Sequence, residues 1–337
     1  MAGCRCPKGF CHLQAMVSEH NINLAVDYVR SRNKHKDKKP LLEQQVIQFW
    51  ERWPDLKQYL MEGNYTPEYY STGFRRSKTH QARQLDIPNF IDKVIMRAMT
   101  QILSPPLNVL LPHSVHGWRE GCNQQSALQN LHTNVAQARL RDGDCYILRS
   151  DIKSAFETIE HPKVFEALKL ITRCSKILML VRRYIRTPTV DSNTGEVRSR
   201  ITGVPTGSSI GPLICNAVLS TIDIEYTPTG WVRYADDICV VMGDRLCCEI
   251  ILKELIQDLR LLGLHGLSLS ARKTGIYHYN DPGFDFLGHS LNEKGELIRS
   301  VAAKEKWDQT LAEGKPMGNL RAHYAHCADI EERTGCG

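Results

Sequence analysis

Two runs of β-branched and apolar residues, Trp231-Val-Arg-Tyr234 and Ile238-Cys-Val-Val-Met242, are separated only by Ala235-Asp236-Asp237. No other feature constrains the fold of this chain so tightly. Two β-rich runs split by so short a polar break read as an antiparallel hairpin. Its tip then carries two adjacent carboxylates where side-chain packing cannot neutralise them. Paired acids in a turn also have a plain explanation, because Asp favours turns, so the tip alone leaves chemistry and turn-making equally open.

A further acid upstream tips the balance. Asp144-Cys-Tyr-Ile-Leu-Arg-Ser-Asp151 reads as a strand that delivers Asp151 at its end. Three carboxylates from two neighbouring strands suffice to hold two divalent ions roughly 4 Å apart, one activating a 3′-hydroxyl and one binding a triphosphate with its leaving pyrophosphate. Two Mg²⁺ ions suit this all-oxygen site, with Mn²⁺ as a substitute, and the Ile152 backbone joins Asp151, Asp236 and Asp237 as a candidate metal contact.

Around these strands the spacing predicts helices over Leu13–Arg30 and Leu41–Leu60, the latter stopping or kinking near Pro54. A third covers Ile87–Leu103 and stops before Pro105-Pro106, and others cover Val164–Tyr184 and Ile210–Ile222. Arg245–Leu262 is an amphipathic helix with Asp244 as N-cap and Gly263 as its stop. Residues 61–82 read as loops or strands near a substrate. Strands interleaved with helices give an α+β core.

Several motifs fall in a familiar order. Arg83-Gln-Leu-Asp-Ile-Pro88 and Ser114-Val-His-Gly-Trp-Arg-Glu-Gly121 resemble the fingers motifs of group II intron-type reverse transcriptases. Asp151-Ile-Lys-Ser-Ala-Phe156 is similar to their first catalytic motif, and Gly203-Val-Pro-Thr-Gly-Ser-Ser-Ile-Gly-Pro-Leu-Ile-Cys-Asn216 to their template- and nucleotide-contacting motif. Tyr234-Ala-Asp-Asp237 matches the metal motif, while Leu267-Ser-Leu-Ser-Ala-Arg-Lys273-Thr and Phe284-Asp-Phe-Leu-Gly288 resemble the lysine motif and the primer grip.

The resemblance implies a right-hand polymerase with fingers, a palm of antiparallel sheet on helices, and a short helical thumb. Residues 1–80 would form an N-terminal helical extension and the start of the fingers, 81–143 the fingers, and 144–280 the palm. Residues 281–337 would hold the primer grip and thumb, the latter around Ala302–Ala328. It also implies roles: Arg83 on triphosphate oxygens, Arg119 on triphosphate or template phosphate, and Phe156 as a steric gate against a 2′-hydroxyl. Gly207 would allow backbone approach to a base pair, Lys273 would protonate or neutralise pyrophosphate, and Phe286, Leu287 and Gly288 would support the primer terminus. Thr206 departs from the pattern, since the family usually places a nucleotide-contacting glutamine there.

The short stretch after Gly288 resembles a stand-alone bacterial reverse transcriptase of the anti-phage defence kind, with a dedicated non-coding RNA as template and dNTPs and DNA as substrate and product. Two other readings stand beside it. One is a template-independent or protein-primed polymerase, with Tyr65, Tyr69 or Tyr70 as exposed hydroxyls. The other is a non-catalytic RNA-binding scaffold, disfavoured because a scaffold has no use for unpaired acids.

The net charge of +6 is unevenly spread, with basic runs at Arg30–Lys39 and at Arg75-Arg76-Ser-Lys78 that read either as phosphate-binding surface or as solvated faces. The 12 cysteines sit mostly in apolar segments, with no secretory leader or membrane-length run, which suggests a reduced, cytoplasmic protein. Cys4, Cys6, Cys11 and His12 with His323, His326, Cys327 and Cys336 lack the paired spacing of a zinc site but supply enough ligands for one. Trp50 and Trp53 either fill a core or offer a homo-oligomer interface.

Overall fold

The computed structural model describes residues 11–32, 39–75, 83–261, 268–271 and 273–312. Most of the terminal Cys/His clusters, Lys34, Lys36, Lys38, Arg76, Lys78 and Gly263 lie outside the described residues, as does the thumb segment beyond residue 312. Helices α1 (His12–Met16), α2 (Glu19–Arg32) and α3 (Lys39–Glu62) lead into the antiparallel strands β1 (Tyr70–Arg75) and β2 (Arg83–Ile87). Then come α4 (Phe90–Leu110), α5 (Gln124–Asp142), β3 (Tyr146–Lys153), α6 (Ala155–Thr158), α7 (His161–Leu168), α8 (Ser175–Arg186), β4 (Thr189–Val190) and β5 (Val197–Arg198). The chain continues through α9 (Gly211–Tyr226), β6 (Trp231–Tyr234), β7 (Asp237–Met242), α10 (Arg245–Leu261), β8 (Ser268–Leu269), β9 (Gly275–His278), β10 (His289–Leu291), β11 (Leu297–Arg299) and α11 (Val301–Ala312). The fold is α+β, as the pattern predicts.

Several boundaries differ from the sequence reading. Helix α3 does not stop at Pro54, and α4 runs through Pro105 and Pro106. Buried residues on both sides of each proline, Phe49 and Leu60 in α3 and Leu103 and Leu107 in α4, offset the lost backbone hydrogen bond, which costs roughly 3 kcal/mol in a helix interior. The expected Leu13–Arg30 helix divides at Val17-Ser18, and Val164–Tyr184 divides into α7 and α8. Helix α10 begins as expected, with Asp244 Oδ1 accepting from the Cys247 amide at 2.8 Å.

The chain forms two compact units that interleave in sequence. The first comprises residues 1–110 and 154–220 and contains a sheet ordered β2-β1-β4-β5. Its buried Asp92 accepts from the hydroxyls of Tyr65 at 2.7 Å and Tyr184 at 3.0 Å and from the Glu68 amide at 3.1 Å. Tyr65 and Tyr70 are therefore core residues, 8% and 0% exposed, which corrects the reading of both as available hydroxyls; Tyr69 alone of the three is exposed. Trp53 stacks on Phe49 with ring centres 5.5 Å apart and belongs to the core of α3.

The second unit comprises residues 111–153 and 221–337. Its sheet runs β6-β7-β3, and β3 pairs on its other edge with β9 and β8. Helix α5 covers one face, burying Ala127, Leu128, Leu131, Val135 and Ala138 against Ile147, Val232, Cys239, Val241, Phe284 and Phe286. Cys145, Cys174, Cys215, Cys239 and Cys248 are buried outside any disulfide and pack as small hydrophobes. Among the described residues no helix is long and apolar enough to cross a membrane.

Candidate active site

The second unit's sheet carries the three acids. Asp151 in β3 stands directly across from Asp237 in β7, and Asp237 pairs on its other side with Tyr234 in β6. That register leaves Ala235-Asp236 as a two-residue hairpin loop. Ala235 has φ 59° while Asp236 does not turn positive, the sign pattern of a type II′ loop, which ordinarily has Gly at the first position. The Ile152 amide donates to the Asp236 carbonyl at 2.9 Å, tying the loop to β3. Ligand oxygens of Asp151, Asp236 and Asp237 then all lie within 4.8 Å of one another.

Two cations face this cluster. Lys273 Nζ stands 2.5 Å from Asp151 Oδ1, and the Arg149 guanidinium stands 3.5 Å from Asp237 Oδ1. Arg149 was not singled out from the sequence, although its position two residues before Asp151 on the same strand face is the signal that finds it. Burial pushes the Asp237 carboxyl up to about 6; Asp151 and Asp236 raise it further, while Lys273 and Arg149 oppose the shift. Asp237 Oδ1 is buried without a hydrogen-bond donor. A half-buried carboxylate with one buried, under-satisfied oxygen, beside two others, fits a hard divalent cation such as Mg²⁺ or Mn²⁺.

The segment 114–124 borders the loop. Arg233 donates its amide to the Ser114 carbonyl at 2.8 Å and accepts from the His116 amide at 2.9 Å. Gly117 follows, packed so closely that a β-carbon there would stand 2.0 Å from the Ala235 nitrogen. Trp118 has φ 55° and is 44% exposed, an unusual backbone for a bulky residue and one that sequence spacing gave no reason to single out. Arg119 Nη1 donates to the carbonyls of Pro112 at 2.5 Å and Val115 at 3.2 Å, so it braces its own loop.

Phe286, Leu287 and Gly288 form the tight turn expected of them. Phe286 and His289 exchange backbone hydrogen bonds at 2.9 and 3.0 Å, with Leu287 at φ 55° and Gly288 at φ 85° between them. The Phe286 ring is fully buried, so the turn's outward contacts fall to Leu287 and Gly288. Gln124 Nε2 donates to the Leu287 carbonyl at 2.6 Å.

The remaining expected site residues belong to the first unit. Phe156 is half-buried, its carbonyl accepts from the Val204 amide at 2.6 Å, and its ring lies beside Gly211. Gly207, at φ 104°, crosses over the Asp86 carbonyl. The Thr206 hydroxyl donates to Asp86 Oδ2 at 3.1 Å, and the Thr206 amide donates to the same oxygen at 2.9 Å. Asp86 also receives Thr189 at 2.6 Å, Arg198 at 2.9 Å and Arg200 at 2.8 Å. Burial alone would raise the Asp86 carboxyl, yet these partners hold it below its ordinary value. Asp86 lies within β2, which starts at Arg83. It thus links that strand to the Thr206 turn, a role that spacing alone did not reveal.

A β-hairpin that raises adjacent aspartates beside a third on the neighbouring strand defines the palm of a nucleotidyl-transferring polymerase. The sequence pattern of the family described as Reverse transcriptase (RNA-dependent DNA polymerase) matches residues 75–291, more than half of the chain, and the chain belongs to that family. It is 25% identical over 298 residues to Protein YkfC of Escherichia coli K12, covering 74% of this chain and 75% of YkfC. It is also 25% identical over 167 residues to the group II intron-encoded protein LtrA of Lactococcus lactis subsp. cremoris, covering 49% of this chain and 26% of LtrA. Telomerase from Candida albicans shares the fold with a TM-score of 0.53 at 15% identity, over 71% of this chain and 46% of that one. The chain thus spans most of YkfC but only about a quarter of LtrA and under half of the telomerase chain.

Proposed function

We propose that this chain is an RNA-directed DNA polymerase that adds dNTPs to a 3′-hydroxyl. The observation that carries the proposal is the meeting of Asp151, Asp236 and Asp237 within 4.8 Å on the β3–β7 platform of a reverse transcriptase fold. These three acids, with the Ile152 backbone, would hold two Mg²⁺ ions. Bound there, the ions supply Lewis acidity toward the 3′-hydroxyl and offset charge on the triphosphate. Lys273 orients Asp151 through their contact and is assigned as the proton donor to a departing pyrophosphate. Arg83, Thr206 and Gly207 are assigned to the nucleotide, the Asp86 cluster fixing the turn that carries the last two. Arg119 braces the loop beside the catalytic hairpin and is assigned to phosphate. Leu287 and Gly288, backed by buried Phe286, are assigned to the primer end.

The narrower reading, templating by a dedicated non-coding RNA in anti-phage defence, rests on analogy to stand-alone bacterial reverse transcriptases. A protein-primed reaction is less well supported, because Tyr65 and Tyr70 spend their hydroxyls inside the protein.

The test is purification of the protein with its bound nucleic acid, sequencing of that nucleic acid, and extension with each dNTP and Mg²⁺, with Asp236→Asn alongside. DNA complementary to a bound RNA is the expected product. DNA without a complement would indicate template-independent synthesis, and RNA binding without any product would indicate a scaffold. Phe156→Val is expected to lower the ratio of kcat/KM for a dNTP over its NTP by roughly 10–100-fold, since removing ring volume frees space for a 2′-hydroxyl. An unchanged ratio would remove the gate from that residue.

A further inference from the structure

Beneath the catalytic hairpin lies a charge pair that stability does not call for. Asp223, near the C-terminal end of α9, and Arg233 in β6 are both 0% exposed. Arg233 meets the carboxylate through two parallel hydrogen bonds, Nε to Oδ1 at 2.7 Å and Nη2 to Oδ2 at 2.6 Å. Trp231 Nε1 donates to Oδ1 at 3.0 Å. Attraction inside such a pair roughly offsets the desolvation of both ions, and apolar residues of similar volume usually serve stability as well or better. What apolar residues lack is a donor with a fixed direction. Arg233 Nη1 supplies one, to the Ala235 carbonyl at 2.8 Å.

Ala235 is the residue whose backbone needs such support. Its φ of 59° is sparsely populated by residues other than Gly, and such a conformation persists only where its surroundings over-determine it. We propose that Asp223 and Arg233 are positioning residues. Asp223 orients the guanidinium fork, and the fork holds the Ala235 carbonyl so that the strained loop presents Asp236 and Asp237 in fixed register with Asp151. The inference rests on reading the three acids as the catalytic centre.

The surroundings of the pair fit this role. The main chain of Arg233 is held by Ser114 and His116 at 2.8 and 2.9 Å, in the segment that also seats Gly117 against the loop. Ser114 Oγ in turn lies 3.0 Å from Thr227 Oγ1, which donates to the Asp223 carbonyl at 2.5 Å. Arg233 is thus fixed through its backbone by one segment and through its side chain by α9, while its third contact reaches the loop itself.

Two variants separate positioning from bulk stability. Arg233→Lys keeps a cation for Asp223 but replaces the rigid fork with a point charge that cannot serve both acceptors in that geometry. It is expected to lower kcat by about 10–100-fold, the cost of displacing reacting groups by about 1 Å, while KM for dNTP changes by less than about twofold. It should also weaken Mn²⁺ binding, measured by EPR on the full chain without nucleotide. Asp223→Leu with Arg233→Met removes both charges together, so that neither is left buried alone, and should fold yet keep the kcat loss and the weakened Mn²⁺ binding. A purely structural pair predicts the opposite, with rate and Mn²⁺ affinity returning to native values once the double variant folds, and that result overturns the inference. Native rate and Mn²⁺ affinity in Arg233→Lys overturn it equally, whether or not the double variant folds. If the native protein binds Mn²⁺ but makes no DNA, the polymerase reading fails by itself, and the EPR comparison alone decides the positioning role.

Discussion

The Asp237→Asn variant is expected to incorporate nucleotide at least about a thousandfold more slowly than the native chain and, in EDTA at neutral pH, to melt at a higher temperature. Both effects have one cause. Asp237 is half-buried beside Asp151 and Asp236, and its carboxyl is pushed from 3.8 up to about 6. A carboxyl whose folded-state value lies above its unfolded value binds its proton more tightly in the folded chain. Its ionisation therefore opposes folding, by an amount that grows as pH rises from about 4 to about 6 and is complete above that. The size is on the order of 2–3 kcal/mol. Asparagine keeps the volume, carries no charge to desolvate and gives up an anionic ligand. In EDTA, the melting-temperature difference between variant and native protein should widen from pH 4 to 6 and then level off. A variant that melts lower at pH 7, or that still extends a primer, would mean the three acids do not form the strained anionic cluster described above.

Gly117→Ala is expected to lower kcat by about a hundredfold or more while leaving affinity for primer–template near the native value. The added β-carbon would meet the Ala235 nitrogen at 2.0 Å, the Ala235 Cα at 2.8 Å and the Tyr234 carbonyl carbon at 2.9 Å. All three are backbone atoms, so no side chain is able to rotate away, and a close-packed interior passes the displacement on. The hairpin loop has to move, carrying Asp236 with it. Gly121→Ala is the control. Its φ is 75° but nothing lies within 4 Å of the added carbon, so it should cost only about 1 kcal/mol of backbone strain and little rate. Equal rates for the two variants would show that the approach of Gly117 to the loop is not what holds it.

Local signals in the sequence were enough for the hairpin, the strand bearing Asp151 and the Asp244 cap, because each is decided by neighbours within a few residues. Neither Pro54 nor Pro105-Pro106 ends its helix, because burial on both sides outweighs a missing donor. Helix α5 escaped notice because its apolar face is narrow. Its start is marked by Asn123 and Ser126 in a reciprocal cap that lacks the usual Glu or Gln. Long-range contacts were invisible altogether. Gly117 meets Ala235, and Gln124 reaches Leu287, across more than a hundred residues, and no spacing rule joins such positions. Thr206 shows a subtler limit. Motif order assigned it to the nucleotide, whereas only the placement of Asp86 reveals where its hydroxyl goes. Tyr65 likewise reads as a loop residue until Asp92 supplies the acceptor that draws it inside.

The interleaved chain order also dictates when this protein becomes an enzyme during its own synthesis. Strand β3 is complete at Lys153, but β7, which flanks it in the sheet and completes the acid cluster with the loop after β6, ends at Met242, and β9 on the opposite edge ends at His278. Closing a loop of that length precedes any reward from strand pairing, and such non-local sheets form slowly. An emerging chain therefore carries Asp151 on an unpaired, aggregation-prone edge for as long as translation takes to cover that distance. Ribosome pausing or a bound chaperone between residues 153 and 242 would act on the nascent sheet while it still has a bare edge.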